Sequence, residues 1–330
     1  MNKSDRRASG TQVVLLGTGT PNAEPERSGP SVALVVDGRP YIVDVGPGVV
    51  RRARAAHGAG VGGLAVEGLS RAFVTHLHSD HTAGLPDLIL TPWVLERDEA
   101  LHVFGPPGIR AMTDHLLAAY EEDIQERVRG LEPANETGFT VVAHEIEAGP
   151  IYQDSSVCVE AFPVRHGSWP AFGFKFTTAQ GSVVLSGDTA PAETLVEHAR
   201  GCDLLVHEVY SAVGFQGLTP AWQRYHRQVH TSTHELAEIA SRARTGLLVT
   251  YHHLFWGIPE DDALCEITSR YDSPVALGRD LDCYEIGCRS TAAQAARSRS
   301  SERACAAMDT RSLQEASALD CSQRTPKEKP

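Results

Sequence analysis

Residues 76–81 read His76-Leu77-His78-Ser79-Asp80-His81, three imidazoles and a carboxylate within six positions, directly after the strand-like run Arg71–Thr75. In extended backbone alternate side chains share a face, so His76 and His78 point the same way. Asp80 and His81 then fall on the turn that follows, where the chain can curl back under the pair. Nitrogen and carboxylate donors at this density are the ligand types preferred by Zn²⁺, with too few thiolates for an iron–sulfur or Cu(I) site. A chain that carries such a cluster at a strand end needs a rigid sheet edge to hold it.

Other strand-like runs end the same way. His166 follows Val157–Val164, Asp188 follows Ser182–Ser186, His207 with Glu208 ends a run beginning at Leu204, and His252 with His253 follows Leu247–Tyr251. Fifteen histidines in 330 residues are an excess that ligand or proton-transfer roles would account for. If these ends converge at one sheet edge, a dinuclear site follows, because the two oxygens of Asp188 can bridge two cations.

The rest of the pattern is layered. Val13–Gly17, Ser31–Val36 and Tyr41–Val45 form an opening antiparallel meander, and short apolar strands then alternate with helices expected at Ile109–Ile124 and His234–Ala243. This predicts an α/β (α+β) sandwich with its functional residues on loops at one edge. Residues 1–10 and 289–330 are expected to be disordered, the latter with a weak helical tendency, around a domain spanning 11–288. The seven cysteines form no CxxC pair, which argues against a thiolate metal site. No run approaches the ~20 apolar residues of a membrane span. A cytoplasmic protein is expected, and a homodimer is compatible with the sequence.

Taken in order, Leu15-Leu16-Gly17-Thr18-Gly19-Thr20-Pro21, Ile42-Val43-Asp44-Val45-Gly46-Pro47-Gly48, the His76–His81 motif, His166, Gly187-Asp188-Thr189, His207-Glu208, His230-Thr231-Ser232-Thr233 and His252 resemble the metallo-β-lactamase superfamily, in its ribonuclease Z and arylsulfatase-like branch. The resemblance covers roughly residues 11–288. It implies a four-layer αββα sandwich with two zinc ions per chain. His76, His78 and His166 would hold the first, Asp80, His81 and His252 the second, and Asp188 would bridge them; Mn²⁺ or Fe²⁺ would also suit these donors. Asp80 would orient a metal-bridging hydroxide and act as base, and His230, paired with Glu208, would protonate the leaving oxygen. Gly17, Gly19, Gly46 and Gly48 read as tight turns beneath this site.

Asp188 stands where zinc β-lactamases carry Cys, and His78 where flavo-diiron members carry a carboxylate, so neither activity is expected. The interval His166 to Asp188 is too short for the basic arm with which bacterial ribonucleases Z grip tRNA. The net charge of −12 includes +2 on the first ten residues and +3 on residues 289–330, leaving about −17 on the core, which repels polyanions. The sequence alone therefore favours a dinuclear zinc hydrolase of small esters, an aryl sulfate or a phosphodiester. The alternative is a ribonuclease Z-type tRNA 3′-end endonuclease, and a third reading is a non-catalytic metal-bound binding protein. Leu85–Trp93, Trp169, Phe172, Trp222, Tyr225, Phe255 and Trp256 are expected to line an aromatic-accepting pocket, whereas His57, His102, His115, His144, His198 and His226 are expected to lack a function.

Overall fold

The computed structural model of the protein describes residues 10–287. Residues 1–9 and 288–330 lie outside the described residues, and with them all but Gly10 of the segments expected to be disordered, 1–10 and 289–330. The first sheet is built from β1 (Thr11–Gly17), β2 (Ser31–Val36), β3 (Arg39–Val43), β4 (Arg71–Phe73), β5 (Leu101–Gly105) and β6 (Val141–Glu145). The second takes β7 (Gly149–Gln153), β8 (Val157–Pro163), β9 (Phe172–Thr178), β10 (Gly181–Leu185), β11 (Leu204–Tyr210), β12 (Leu247–Leu254) and β13 (Val275–Leu277). β14 (Cys283–Ile286) then returns to pair with β1 at the edge of the first sheet.

The four layers follow from the strand period. Val13 and Leu15 face the gap between the sheets, where Leu34, Phe73, Phe174, Val206 and Val249 meet them. Their neighbours Val14 and Leu16 face outward onto Val50, Ala53, Leu88 and Ile89 of the helices that cover the first sheet. On the other side Val184, Leu205 and Leu248 face Leu195, Leu236 and Ala240. Strands buried on both faces carry continuous apolar runs, which is why these segments are readable from sequence. The expected meander is present, since β1, β2 and β3 pair antiparallel.

Each sheet contains a run of parallel strands, β3 to β6 in the first and β10 to β13 in the second. Asp44 follows β3 and the His76–His81 segment lies beyond β4, while Asp188 follows β10 and His252 lies near the end of β12. Ligand sites form at the carboxyl ends of parallel strands, and here two such edges face one another.

Four local expectations are corrected. The helix expected over Ile109–Ile124 is two, Ile109–Ala119 and Glu121–Arg129, broken at Tyr120. Glu121, Glu122 and Asp123 favour a new helix start there by their interaction with its dipole. Leu85–Trp93 is not pocket lining: it forms the helix Leu85–Val94, with Leu85, Leu88, Ile89 and Trp93 buried. β4 stops at Phe73 rather than Thr75, which frees Thr75 to serve the site. The helix expected at His234 starts at Thr233, fixed by reciprocal hydrogen bonds between Ser232 and Glu235.

Candidate active site

The structure brings together every residue of the expected ligand set. His76, His81, His166, Asp188 and His252 are at most 2% exposed and Asp80 is 8% exposed, while His78 is half-buried. One group of converging donor atoms comes from His76, His78 and His166, a second from Asp80, His81 and His252. Asp188 belongs with His76 and His81 and also with His166 and His230, so it stands between the two groups.

Each ring is oriented from behind. His166 Nδ1 donates to the Val229 carbonyl at 2.8 Å, which leaves the Nε2 lone pair facing inward, 3.1 Å from His78 Nδ1. His81 Nδ1 donates to Asp44 Oδ2 at 2.8 Å. Thr75 gives its hydroxyl to the same carboxylate at 3.0 Å and lies 3.0 Å from His76 Nδ1, so Asp44 sets the tautomer of two histidines. The sequence motif around Asp44 was legible, but this role was not. Its only signal was a lone acid in an apolar turn.

Backbone strain completes the aim. β11 and β12 lose register between Glu208 and Val209, where Tyr251 and then His253 are paired, so His252 is the bulged residue. Its φ of 47° swings the imidazole toward Asp80 Oδ2 (3.3 Å) and Asp188 Oδ2 (3.4 Å). Asp44 also has positive φ, 58°. Behind Asp188, Gly187 adopts φ 59°, and a Cβ there would sit 2.9 Å from the Thr75 side chain. Gly46 has a similar burden: its Cβ would lie 2.7 Å from the Asp80 carbonyl.

The electrostatics call for cations. Burial opposes ionisation of Asp188, yet His252 and His81 outweigh it and hold the carboxyl well below its ordinary value. Burial also opposes the ionised form of Asp80, and again His252 and His81 prevail. Against the same penalty, Asp188 and Asp44 raise His81, and Asp188 with Asp80 raises His252. Burial pushes His76, His78 and His166 down toward neutral imidazole, the form that ligates. Among the described residues, only histidines approach Asp80 and Asp188 as cationic partners. His81 Nε2 and Asp188 Oδ1 are buried without a hydrogen-bond partner. Orphaned donors of these types, in two converging groups, fit a pair of divalent cations.

His230 and Glu208 meet, though not through a hydrogen bond. His230 Nδ1 lies 3.5 Å from Glu208 Oε1 and 3.9 Å from Asp188 Oδ2. Glu208 Oε1 instead accepts from the Thr231 N–H at 2.8 Å and the Thr189 N–H at 3.3 Å. It thereby ties the residue after His230 to the residue after Asp188. Burial, reinforced by Asp188, raises the Glu208 carboxyl well above its ordinary value, and burial lowers His230 to about 4.

Above this floor opens a cavity of about 410 Å³, lined by His78, Asp80, Asp188, His230 and His252 and walled by Trp222, Tyr225, His226 and Trp256. Trp222, Tyr225 and Trp256 are where the sequence expected them, whereas Phe172 is in the inter-sheet core and Phe255 stacks on His253. Trp169 stands at the edge against His78, with ring centroids 4.5 Å apart. His226, expected to lack a function, is 7% exposed and lines the cavity. The buried His253 has its Nε2 2.8 Å from Thr250 Oγ1.

Residues 39–253 match the family model described as the beta-lactamase superfamily domain. A ribonuclease Z from Mycobacterium sp. (strain KMS) is 37% identical over 283 residues, covering 83% of this chain and 96% of that protein. The chain belongs to the metallo-β-lactamase superfamily, in its ribonuclease Z branch. The fold agrees. The metallo-β-lactamase fold protein YhfI from Bacillus subtilis superposes with a TM-score of 0.63 at 16% identity, covering 83% of this chain and 99% of that one. The short form of human tRNase Z superposes at 0.62 and 23% identity, with the same coverage. As a member of this superfamily the chain is a metal-dependent hydrolase. Among the described residues, no helix is long and apolar enough to cross a membrane.

Proposed function

We propose that the protein is a ribonuclease of the Z type, an endonuclease that cuts a phosphodiester bond at the 3′ end of precursor tRNA. The observation that carries this reading is the 37% identity to a ribonuclease Z across 83% of this chain and 96% of that protein. It favours the nuclease alternative over the small-ester reading. The short His166–Asp188 interval loses its force, because an alignment of 283 residues spanning 83% of this chain and 96% of the relative leaves that relative no room for a long arm absent here. The charge objection weakens as well. Residues 209–234 contain no Asp or Glu, and their helix Pro220–Val229, whose Trp222, Tyr225 and His226 wall the cavity, also carries the exposed Arg224 and Arg227. This acid-free stretch is a local break in an otherwise acidic surface, and it lowers the repulsion that a phosphate backbone meets there.

In this reading His76, His78 and His166 would hold one zinc ion and Asp80, His81 and His252 another, with Asp188 between the two groups. Zinc ions bound there would acidify water toward neutrality and offset the charge of the phosphate. Asp80, at the floor of the cavity, orients the attacking water and takes its proton. His230 turns Nδ1 toward Glu208 and Asp188, leaving Nε2 as the edge that carries a proton to the leaving sugar oxygen. Glu208 is a positioning residue, since its hydrogen bonds go to the backbone that holds His230 and Asp188. The reading brings a cytoplasmic location with it.

End-labelled precursor tRNA, incubated with metal-loaded protein and mapped at nucleotide resolution, tests the proposal. The expected result is one cut at the 3′ end that a chelator abolishes. Intact precursor at micromolar enzyme, alongside hydrolysis of p-nitrophenyl esters, returns the small-ester reading.

A further inference from the structure

The chain has four tryptophans, and only Trp93 is spent on the core, at 2% exposure. Trp169 and Trp222 are 43% and 56% exposed, Tyr225 is 42% exposed, and Trp256 lines the cavity. Aromatic rings left half in water around one opening are not explained by folding. On the helix Pro220–Val229, Trp222, Tyr225 and His226 fall three and four positions apart, on one face. That face borders the cavity rather than a hydrophobic core. Trp222 and Tyr225 stand nearly perpendicular, at 85° with centroids 5.6 Å apart, and form a corner. Trp222 stacks toward His226 at 5.7 Å, Trp256 meets His226 edge-on at 4.8 Å, and His226 lies 5.4 Å from His230. Rings therefore run without a break from the mouth to His230.

We propose that Trp222, Tyr225 and Trp256 form a stacking subsite for one unpaired nucleobase, that of the nucleotide whose sugar carries the leaving oxygen. This rests on reading the chain as an RNA phosphodiesterase. A base is the occupant that matches both features of the wall, flat aromatic faces and an acid-free, arginine-bearing helix beside them. A base within a stem has both faces covered by its neighbours, so the subsite selects a single-stranded nucleotide, and a cavity of about 410 Å³ has no room for a paired stem. The leaving side is assigned because the wall ends on His230, whose Nε2 serves that oxygen.

The test is a cycle between protein and substrate. Precursor RNA with an abasic residue at the nucleotide carrying the leaving oxygen is compared with intact RNA, using metal-loaded wild-type protein, Trp222→Ala and Trp222→Phe. Removing the base is expected to lower wild-type kcat/KM roughly 5- to 150-fold. Trp222→Ala is expected to show a similar loss on intact RNA and no further loss on abasic RNA, and Trp222→Phe to recover most of the difference. 2-Aminopurine at that nucleotide should be quenched on binding wild-type protein and stay bright with Trp222→Ala. Equal wild-type cleavage of intact and abasic RNA, or independent losses in the cycle, overturns the subsite while leaving the nuclease reading intact. If wild-type protein cuts no RNA at all, the nuclease reading fails and the subsite fails with it.

Discussion

His81 and Trp222 belong to the same cavity but are built by opposite rules. His81 is fully buried, hydrogen-bonded to Asp44 at 2.8 Å, and placed within 3.5 Å of both Asp80 and Asp188. Trp222 is 56% exposed, and its ring packs against the rings of Tyr225 and His226. The floor uses burial, a bulge and positive φ at Asp44 and His252 to fix donor atoms where a cation needs them. Apart from Trp256, the wall is one face of one helix, held by an N-terminal Thr219–Pro220 cap and by Gly167 and His166 at its far end. Fixed geometry belongs to the reaction, and the looser surface belongs to what is brought to it.

This contrast predicts that variants of the ligand residues change cation content and turnover together, whereas wall variants lower kcat/KM for RNA with cation content unchanged. The largest effect is expected for Asp188→Ala, which removes the residue between the two ligand groups. Bound metal measured by mass spectrometry should fall, and activity should drop at least about 10³-fold. A variant that kept both cations would refute the bridging role. His230→Ala separates chemistry from metal: kcat should fall roughly 10²- to 10⁴-fold with cation content unchanged. Loss of metal in that variant would make His230 a ligand instead of an acid. Asp44→Ala should be milder, lowering cation affinity roughly 10- to 100-fold by releasing His81 and Thr75. Added metal should restore its turnover, and failure to do so would show that Asp44 supports the fold more than the ligands.

The same division explains what could be read in advance. The His76–His81 cluster is legible because four donors fall within six residues, and His166, Asp188 and His252 because each follows or ends an apolar strand. The two-sheet sandwich is legible because β10, β11 and β12 are buried on both faces and so are apolar without interruption. Asp44 escaped a role because its partner lies 37 residues away and only the parallel pairing of β3 and β4 brings them together. His226 escaped because a histidine on a helix of exposed Arg and Gln reads as solvated, and only the placement of that helix over the cavity reveals otherwise. Leu85–Trp93 was misread for the converse reason: its apolar face packs beneath the first sheet, away from the opening. Net charge is the least local of these signals, since an average near −17 does not show the 26 residues from 209 to 234 that contain no acid.

The most direct test of the account is the ratio of kcat/KM for precursor tRNA to that for bis-p-nitrophenyl phosphate and p-nitrophenyl sulfate, measured on one metal-loaded preparation. The account predicts that precursor tRNA is preferred by orders of magnitude, with cleavage at a single 3′ position and the sulfate ester untouched. A ratio favouring either small ester would contradict it.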